Sequence, residues 1–225
     1  MSSSQAPRYT VYGSGPSRSS RVVWALEELG QPYTIEHVDF YSGGHRKPAF
    51  LAVNPNGKVP ALTDGDLSLF ESAAILTYLG EQHPESGFVP EAGSPEKGLY
   101  LQWSTFVVTE LEQPLWLKAK HTFALPEALR VPEVIPTAEK EYRRVEKVLA
   151  RGLEGREYLV GDRFTFADVL AGHTLAWAMK AGFPIEVSEL LEYAQRLWSR
   201  PAFADATIRE QAAKAEYKAS MEAAR

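Results

Sequence analysis

The beginning of the chain alternates between strand-like and helix-like patterns, and this alternation restricts the possible folds more than any other feature. Residues 8–13 have the apolar alternation of a short strand, and apolar residues at helical spacing follow over 22–29. Gly30 suits the C-terminal cap of that helix, and residues 33–38 alternate as a second strand. The pattern predicts a βαβ unit.

The remainder of the chain predicts a hairpin and then helices. Residues 59–62 and 67–70 flank Asp64-Gly65, a dipeptide suited to the tight turn between antiparallel strands. A helix is expected from Ser72 until Pro84 stops it. Everything after 94 has helical spacing, with a break expected at Pro114 and the least regular stretch over 120–136. We therefore predict an α/β domain over 8–84, a Pro- and Gly-containing linker over 85–94 and an all-helical domain over 95–225.

Composition excludes several classes of function. The chain has no cysteine, which excludes disulfides, thiolate metal sites and a protein thiol nucleophile. A net charge of -5 with dispersed Lys and Arg residues argues against nucleic-acid binding. The opening residues Met1 to Gln5 are polar, and no apolar run is long enough to span a membrane. These observations predict a cytoplasmic protein that binds a small molecule and does not insert into a membrane.

Two segments carry a resemblance to a known family. The run Asn54-Pro55-Asn56-Gly57-Lys58-Val59-Pro60-Ala61-Leu62 resembles the segment before the third strand of the soluble glutathione transferases, and Phe70-Glu71-Ser72-Ala73-Ala74-Ile75 resembles their next strand-to-helix junction. The resemblance extends along nearly the whole chain and is strongest to the bacterial serine-type and phi-like branch. It implies a thioredoxin-like N-terminal domain, an all-α C-terminal domain, glutathione as co-substrate, no metal and a homodimer.

The resemblance also implies a set of glutathione-binding residues. A cis bond between Val59 and Pro60 would present the Val59 backbone to the cysteinyl part of glutathione, whereas a plain proline at a strand start is the alternative. Glu71 and Ser72 would hold the γ-glutamyl ammonium and carboxylate, and Ser72 also fits a simple helix cap. His45, Arg46 and Lys58 are candidates for the glycyl carboxylate, although charges in loops are usually solvated.

The catalytic candidate is Ser17, which lies where bacterial relatives have a Ser-Arg-Ser sequence at the entry to the first helix. Its hydroxyl would donate a hydrogen bond to the glutathione thiolate, and Ser14 and Tyr12 are the reserve donors. The alternative for Ser17 is a helix cap. Thr165 and Asp168 have the spacing of a capping box, which we assign to structure and not to catalysis.

Conjugation of glutathione to hydrophobic electrophiles, as in detoxification, is the expected activity, and peroxide reduction by the same thiolate is a second one. Five side chains are candidates for the electrophile pocket, although aromatic residues at helical spacing are more often core residues: Trp103, Phe106, Trp116, His121 and Phe123. A binding or interaction protein without catalysis is the alternative from another class. Disulfide reduction by a protein cysteine is excluded because the chain has none.

Overall fold

The computed structural model describes residues 7–223. Residues 1–6 and 224–225 lie outside the described residues, and so does the polar opening Met1 to Gln5. The chain divides into two compact units: the first combines the chain up to Ser86 with the segment from Arg200 onward, and the second spans Gly87–Ser199. The division between Ser86 and Gly87 falls inside the predicted linker over 85–94. The predicted boundaries at 84 and 94 stay a prediction, but the return of the C-terminal segment to the first unit differs from the expected grouping of residues 95–225.

The helices of the described residues are α1 (Ser19–Leu29), α2 (Pro48–Val53), α3 (Ser72–Gln82), α4 (Pro95–Phe106), α5 (Gln113–Ala119), α6 (Ile135–Gly152), α7 (Phe166–Lys180), α8 (Ser188–Trp198) and α9 (Pro201–Ala223). The strands are β1 (Tyr9–Gly13), β2 (Tyr33–His37), β3 (Ala61–Asp64) and β4 (Leu67–Phe70).

A mixed four-stranded sheet forms the centre of the first unit, in the spatial order β2-β1-β3-β4. β1 and β2 are parallel, which requires the crossover that α1 supplies, and β3 is antiparallel to both β1 and β4. The predicted βαβ unit and hairpin are both present. Gly30 ends α1 in the left-handed conformation with φ 62°, as predicted for its C-terminal cap.

The C-terminal helix α9 packs on α1 and β2 inside this first unit. Trp24 of α1 meets the ring of Phe203 edge to face at 4.9 Å. At the end of α1, the Arg200 guanidinium donates to both carboxylate oxygens of Glu28, at 2.6 and 2.7 Å. Sequence periodicity could not reveal this grouping, because the contacts join residues more than 170 positions apart.

The second unit contains α4 to α8, and α7 is its most buried helix. A π-helical turn over Val107–Leu111 follows α4, and α5 then begins with Pro114 in its first turn, so the predicted break at this proline is confirmed. The irregular stretch predicted over 120–136 contains a π-helical turn, Lys120–Ala124, and two short 3₁₀ turns, Glu127–Leu129 and Pro132–Val134.

The predicted capping box at the start of α7 is confirmed. The buried Asp168 carboxylate accepts the backbone N–H of Thr165 at 2.7 Å and the backbone N–H of Leu159 at 3.0 Å. It also accepts the hydroxyl of Tyr193 from α8 at 2.7 Å. Asp168 therefore joins the start of α7 to the preceding loop and to α8, which is a structural role.

Candidate functional site

Three predicted site segments leave the sheet of the first unit at the same end of its strands. Tyr12 of β1 lies opposite Ala61 of β3, and Ala61 lies opposite Phe70 of β4. Because β1 and β4 both run antiparallel to β3, their C-terminal ends meet the N-terminal end of β3. The loop before α1, the Val59-Pro60 segment and the Glu71-Ser72 junction therefore start side by side.

The loop between β1 and α1 holds two of the three candidate hydroxyls, those of Ser14 and Ser17, and the third, that of Tyr12, belongs to β1. The Gly15-Pro16 bond in this loop is cis. The Ser17 hydroxyl oxygen lies 2.8 Å from the Ser19 hydroxyl oxygen and accepts the Ser19 backbone N–H at 3.2 Å. Ser17 thus contacts the first residue of α1, although the N-cap position itself is occupied by Arg18 and has no side-chain cap hydrogen bond, and Ser17 also belongs to a network of hydroxyl groups.

The reserve candidates have different surroundings. Tyr12 packs beside an apolar cluster of Val38, Phe50 and Ala61, and its ring lies 5.9 Å from the ring of Phe50. Ser14 is half-buried in the loop. Among the three, Ser17 has the hydroxyl-to-hydroxyl contact that the structure records, so it stays the first candidate for the thiol-binding hydroxyl.

The Val59-Pro60 bond is cis, as the resemblance implied. The preceding loop is held by Asn54, which is buried. Its amide donates to the carbonyl of Lys58 at 2.6 Å, and its side-chain oxygen accepts the backbone N–H of Asn56 at 2.9 Å. Val59 is half-buried while the Lys58 side chain is exposed. The internal hydrogen bonds of the Asn-Pro-x-Gly sequence therefore fix the backbone that leads to Val59.

Glu71 and Ser72 form the junction between β4 and α3. Glu71 is the one non-glycine residue with positive φ in the described chain, with φ 71° and ψ 111°. Such a conformation costs about 1–3 kcal/mol and is most often found at functional sites. Ser72 is buried, and its hydroxyl oxygen accepts a hydrogen bond from Arg21 at 3.1 Å. Glu71 is exposed at the positive end of the α3 dipole.

His45 and Arg46 lie in a 3₁₀ turn, Gly44–Arg46, whose backbone touches the loop before Val59. A Cβ atom on Gly57 would lie 3.1 Å from the carbonyl oxygen of His45. The His45 ring stacks on Phe40 at 4.5 Å, and its buried Nδ1 has no hydrogen-bond partner among the described residues. Arg46 is exposed. The turn brings one unpartnered ring nitrogen and one exposed cation next to the Lys58 segment.

Three residues that sequence reasoning missed complete this region. Arg21 is fully buried on α1 and donates to Ser72, so it connects the starts of α1 and α3. Its position directly before the apolar run 22–29 is a signal in the sequence, because a charge that is buried with such a run must be paired. Ser19 and Glu210 are also buried, and the Ser19 hydroxyl donates to the Glu210 carboxylate at 2.7 Å. No local pattern indicates Glu210, because its partners are about 190 residues away.

The five predicted pocket residues all lie in the second unit. Trp103 is a buried packing residue of α4: its ring contacts Phe106 edge to face at 5.5 Å and lies so close to Gly152 that a Cβ atom there would be 2.2 Å away. Trp116 is half-buried on α5. His121 and Phe123 lie in the turn 120–124, where His121 Nδ1 accepts the backbone N–H of Val131 at 3.0 Å and Phe123 is exposed. Their assignment to an electrophile pocket stays a prediction.

Residues 7–223 contain neither a cluster of metal-binding side chains nor a helix suited to a membrane. No group of three or more His, Asp or Glu side chains within this range could hold a metal ion. Within the same range, every helix is too short or too polar to cross a membrane.

The family of the chain follows from comparison with known proteins. The family model for the glutathione S-transferase N-terminal domain matches residues 7–81, and the model for the C-terminal domain of the same family matches residues 113–201. The chain belongs to the glutathione S-transferase family. The predicted thioredoxin-like domain followed by a helical domain is thereby confirmed, and so is the predicted family.

Relatives of this chain come from plants, bacteria and fungi. Glutathione S-transferase F10 of Arabidopsis thaliana is 34% identical over 165 residues, covering 71% of this chain and 76% of that protein. Disulfide-bond oxidoreductase YfcG of Escherichia coli is 29% identical over 209 residues, covering 89% and 95%. The crystal structure of glutathione transferase URE2P6 from Phanerochaete chrysosporium in complex with oxidized glutathione has a TM-score of 0.80 at 30% identity, covering 92% and 98%. The plant relative agrees with the phi-like branch predicted from the sequence.

Proposed function

We propose that this chain binds glutathione in its first unit, where β1 and β4 end and β3 begins. We propose further that it activates the glutathione thiol for attack on small hydrophobic electrophiles. The observation that carries the proposal is the strand register, which starts the Ser17 loop, the Val59-Pro60 segment and the Glu71-Ser72 junction side by side. Each segment suits one part of a tripeptide ligand.

The backbone of Val59 is the element for the middle of the tripeptide. An extended peptide pairs with a neighbouring strand through main-chain hydrogen bonds, which depend on a fixed backbone. Asn54 fixes that backbone through Lys58 and Asn56. The N–H and C=O of Val59 would pair with the cysteinyl residue of glutathione.

The start of α3 is the element for the γ-glutamyl end. A helix N-terminus presents unpaired N–H groups and a positive dipole end, which favour a carboxylate. The adjacent Glu71 carboxylate is exposed and suits the ammonium group of the same residue. At the other end of the tripeptide, His45, Arg46 and Lys58 would bind the glycyl carboxylate.

Ser17 is the element for the thiol. A free thiol has a pKa of about 8.5, so only a few per cent is ionised at neutral pH. A hydroxyl that donates to the thiolate contributes about 1.5–3 kcal/mol, and a nearby helix N-terminus adds about 0.3–1 kcal/mol. At about 1.36 kcal/mol per unit, these contributions lower the thiol pKa by about one to three units. Most of the bound glutathione would then be thiolate near pH 7.

Ser17→Ala tests the thiol assignment. The thiolate absorbance of bound glutathione should titrate about one to two units higher in this variant, because one charge-assisted hydrogen bond is lost. Ser14→Ala and Tyr12→Phe are the matched controls and should titrate as the parent does. A shift in either control with no shift in Ser17→Ala would transfer the role to that residue.

The binding assignment is tested separately. Glu71→Gln removes one charge without altering side-chain size, and calorimetry should show glutathione bound about tenfold more weakly, or about 1.4 kcal/mol. Unchanged affinity would reject the proposed contact with the ammonium group. The electrophile pocket, the homodimer and the cytoplasmic location remain proposals: the homodimer rests on family resemblance, and the location rests on the sequence.

Disulfide reduction is the second candidate, and the relative named a disulfide-bond oxidoreductase favours it because that similarity covers 89% of this chain. Since the chain has no cysteine, the sulfur would come from glutathione itself. Two glutathione thiols would reduce one disulfide to two thiols and leave oxidized glutathione. Turnover with 2-hydroxyethyl disulfide, compared with 1-chloro-2,4-dinitrobenzene and cumene hydroperoxide, separates this reaction from conjugation and from peroxide reduction. Absence of all three activities with intact glutathione binding would indicate a non-catalytic binding protein.

A further inference from the structure

The C-terminal helix α9 places a buried carboxylate against the start of α1. Glu210 is 7% exposed. One of its carboxylate oxygens accepts the Ser19 hydroxyl at 2.7 Å, and the other accepts the Ser20 hydroxyl at 2.5 Å. The neighbouring loop is built for this approach, because a Cβ atom on Gly15 would lie 2.8 Å from Cβ and Cδ of Glu210. α9 therefore supplies a carboxylate to the loop that holds Ser17.

A hydroxyl chain connects this carboxylate to Ser17. The oxygens of Ser17 and Ser19 are 2.8 Å apart, and each hydroxyl has a single hydrogen. When Glu210 is ionised, Ser19 donates to it, so the bond between the two serines requires Ser17 to donate to Ser19. The Ser17 hydrogen then points along the chain toward Glu210, so Ser17 would meet a ligand only as an acceptor.

Protonation of Glu210 reverses every bond in this chain. The carboxylic acid then donates to Ser19, Ser19 donates to Ser17, and the Ser17 hydrogen no longer points toward Ser19. The Asp168 carboxylate in the second unit has no such freedom, because two of its donors are backbone N–H groups. Reversibility is thus a property of the hydroxyl chain.

We propose that Glu210 is a positioning residue that takes up the proton of the bound thiol through Ser19 and Ser17. The thiol S–H bond breaks and its proton passes to the Ser17 oxygen; the Ser17 proton passes to Ser19, and the Ser19 proton passes to the Glu210 carboxylate. One negative charge moves from carboxylate to sulfur, and no proton enters or leaves. The product is a thiolate that accepts a hydrogen bond from Ser17. This inference rests on the proposed function, because it needs a thiol at Ser17.

The environment of Glu210 suits a proton acceptor. Burial raises the pKa of this carboxyl, and the hydroxyls of Ser20 and Ser19 lower it. The titratable and charged side chains on the neighbouring segments are Arg18 before α1, Arg21, Glu27 and Glu28 on α1, Tyr33, Glu36 and His37 on β2, Arg200 before α9, and Asp205, Arg209, Lys214, Glu216, Tyr217, Lys218 and Glu222 on α9. Tyr33 and Arg209 bind Glu27, and Arg200 binds Glu28, so these pairs satisfy one another.

The test counts protons released to the buffer when glutathione binds near pH 7. Thiolate formation is read from its ultraviolet absorbance, and proton release from calorimetry in buffers of different ionisation enthalpy. The parent protein should release far less than one proton per thiolate formed, because Glu210 retains it. Glu210→Gln has no acceptor and should release about one. Its thiolate titration should also follow a single site, while the parent shows a flatter curve between coupled groups.

Two further variants make the result decisive. Ser19→Ala interrupts the chain while leaving Glu210 in place, and should also release about one proton per thiolate. It replaces Glu210→Gln if that variant does not fold. Glu28→Gln is the matched control, since Glu28 also joins α1 to α9 through Arg200 but touches none of the three serines. It should release as few protons as the parent.

The outcomes separate the two proposals. If the parent forms thiolate and already releases one proton for each, the relay is wrong and the proposed function stands. If Glu210→Gln and Ser19→Ala keep the low ratio of the parent, the relay is also wrong. If glutathione binds without any thiolate absorbance in the parent, the proposed function fails, and the relay fails with it.

Discussion

The two units each contain a buried carboxylate at the start of a helix, and their donors differ in kind. Asp168 accepts two backbone N–H groups and a tyrosine hydroxyl, and its sequence-local partner, Thr165, is three residues away. Glu210 accepts two serine hydroxyls that are about 190 residues away. A backbone N–H can only donate, whereas a hydroxyl can donate or accept. Asp168 is thus held in one arrangement, while the Glu210 network has two.

Asp168→Ala is expected to have the largest effect. It leaves the buried donors of Leu159, Thr165 and Tyr193 without their acceptor, at about 1–3 kcal/mol each, so we expect a loss of at least about 3 kcal/mol in the free energy of unfolding. For a chain of this length, the melting temperature should fall by about 6–12 °C. Calorimetric melting and turnover per folded molecule are the measurements.

The control for this variant is Thr165→Ala, which retains the carboxylate and should cost only about 1 kcal/mol. Neither variant should lower turnover beyond the loss of folded protein. An Asp168→Ala protein that melts like the parent but has no activity would contradict the structural role of Asp168 and, with it, the proposed difference from Glu210.

The capping box could be predicted because its elements are local, and the same is true of much of the fold. Strand alternation, the Gly30 cap and the Asp64-Gly65 turn each depend on neighbouring residues, and each predicted its element within a residue or two. The cis Val59-Pro60 bond came from family resemblance and not from spacing. The packing of α9 on α1 had no local signal, since long-range contacts depend on the completed fold. The sequence could therefore indicate the serines of the Ser17 network, which lie in one segment, but not its carboxylate, which is about 190 residues away.

Gly15→Ala tests how tightly Glu210 is fitted against the loop. The added methyl group would meet the Cβ and Cδ atoms of Glu210 at 2.8 Å, and the first of these belongs to the rigid base of the side chain. Overpacking of this kind typically costs about 1–3 kcal/mol, and we expect about 2 kcal/mol in urea unfolding. The variant should also release more protons per thiolate, because displacement of Glu210 lengthens its bond to Ser19.

Gly98→Ala is the matched control, because a Cβ atom on Gly98 meets no other group within 4 Å and the residue lies inside α4. It should be neutral or stabilising by up to about 1 kcal/mol. Equal stability of the two variants would mean that the loop at Gly15 can move away from Glu210 without a loss of stability. The packing of α9 would then not fix the position of the Glu210 carboxylate.

The smallest expected effect is the pH dependence of stability that Glu210 contributes. Because burial raises the pKa of Glu210, the folded protein binds this proton more tightly than the unfolded chain, in which the pKa is about 4.3. The contribution is fully present below the unfolded pKa and is lost as pH rises through the folded pKa, by about 1.4 kcal/mol for each unit between them. The free energy of unfolding of the parent minus that of Glu210→Gln should therefore decrease from pH 4 upward and then become constant.

Asp64→Asn provides the opposite sign within the same protein. The Arg8 guanidinium, together with the Tyr78 hydroxyl, lowers the pKa of Asp64. The contribution of Asp64 to stability is therefore present at neutral pH and is lost as pH falls through the folded pKa. Two differences of opposite slope cannot come from a general effect of pH on the fold, and a Glu210 difference that rises with pH would mean that the serine hydroxyls hold the carboxylate ionised and that it accepts no proton from the thiol.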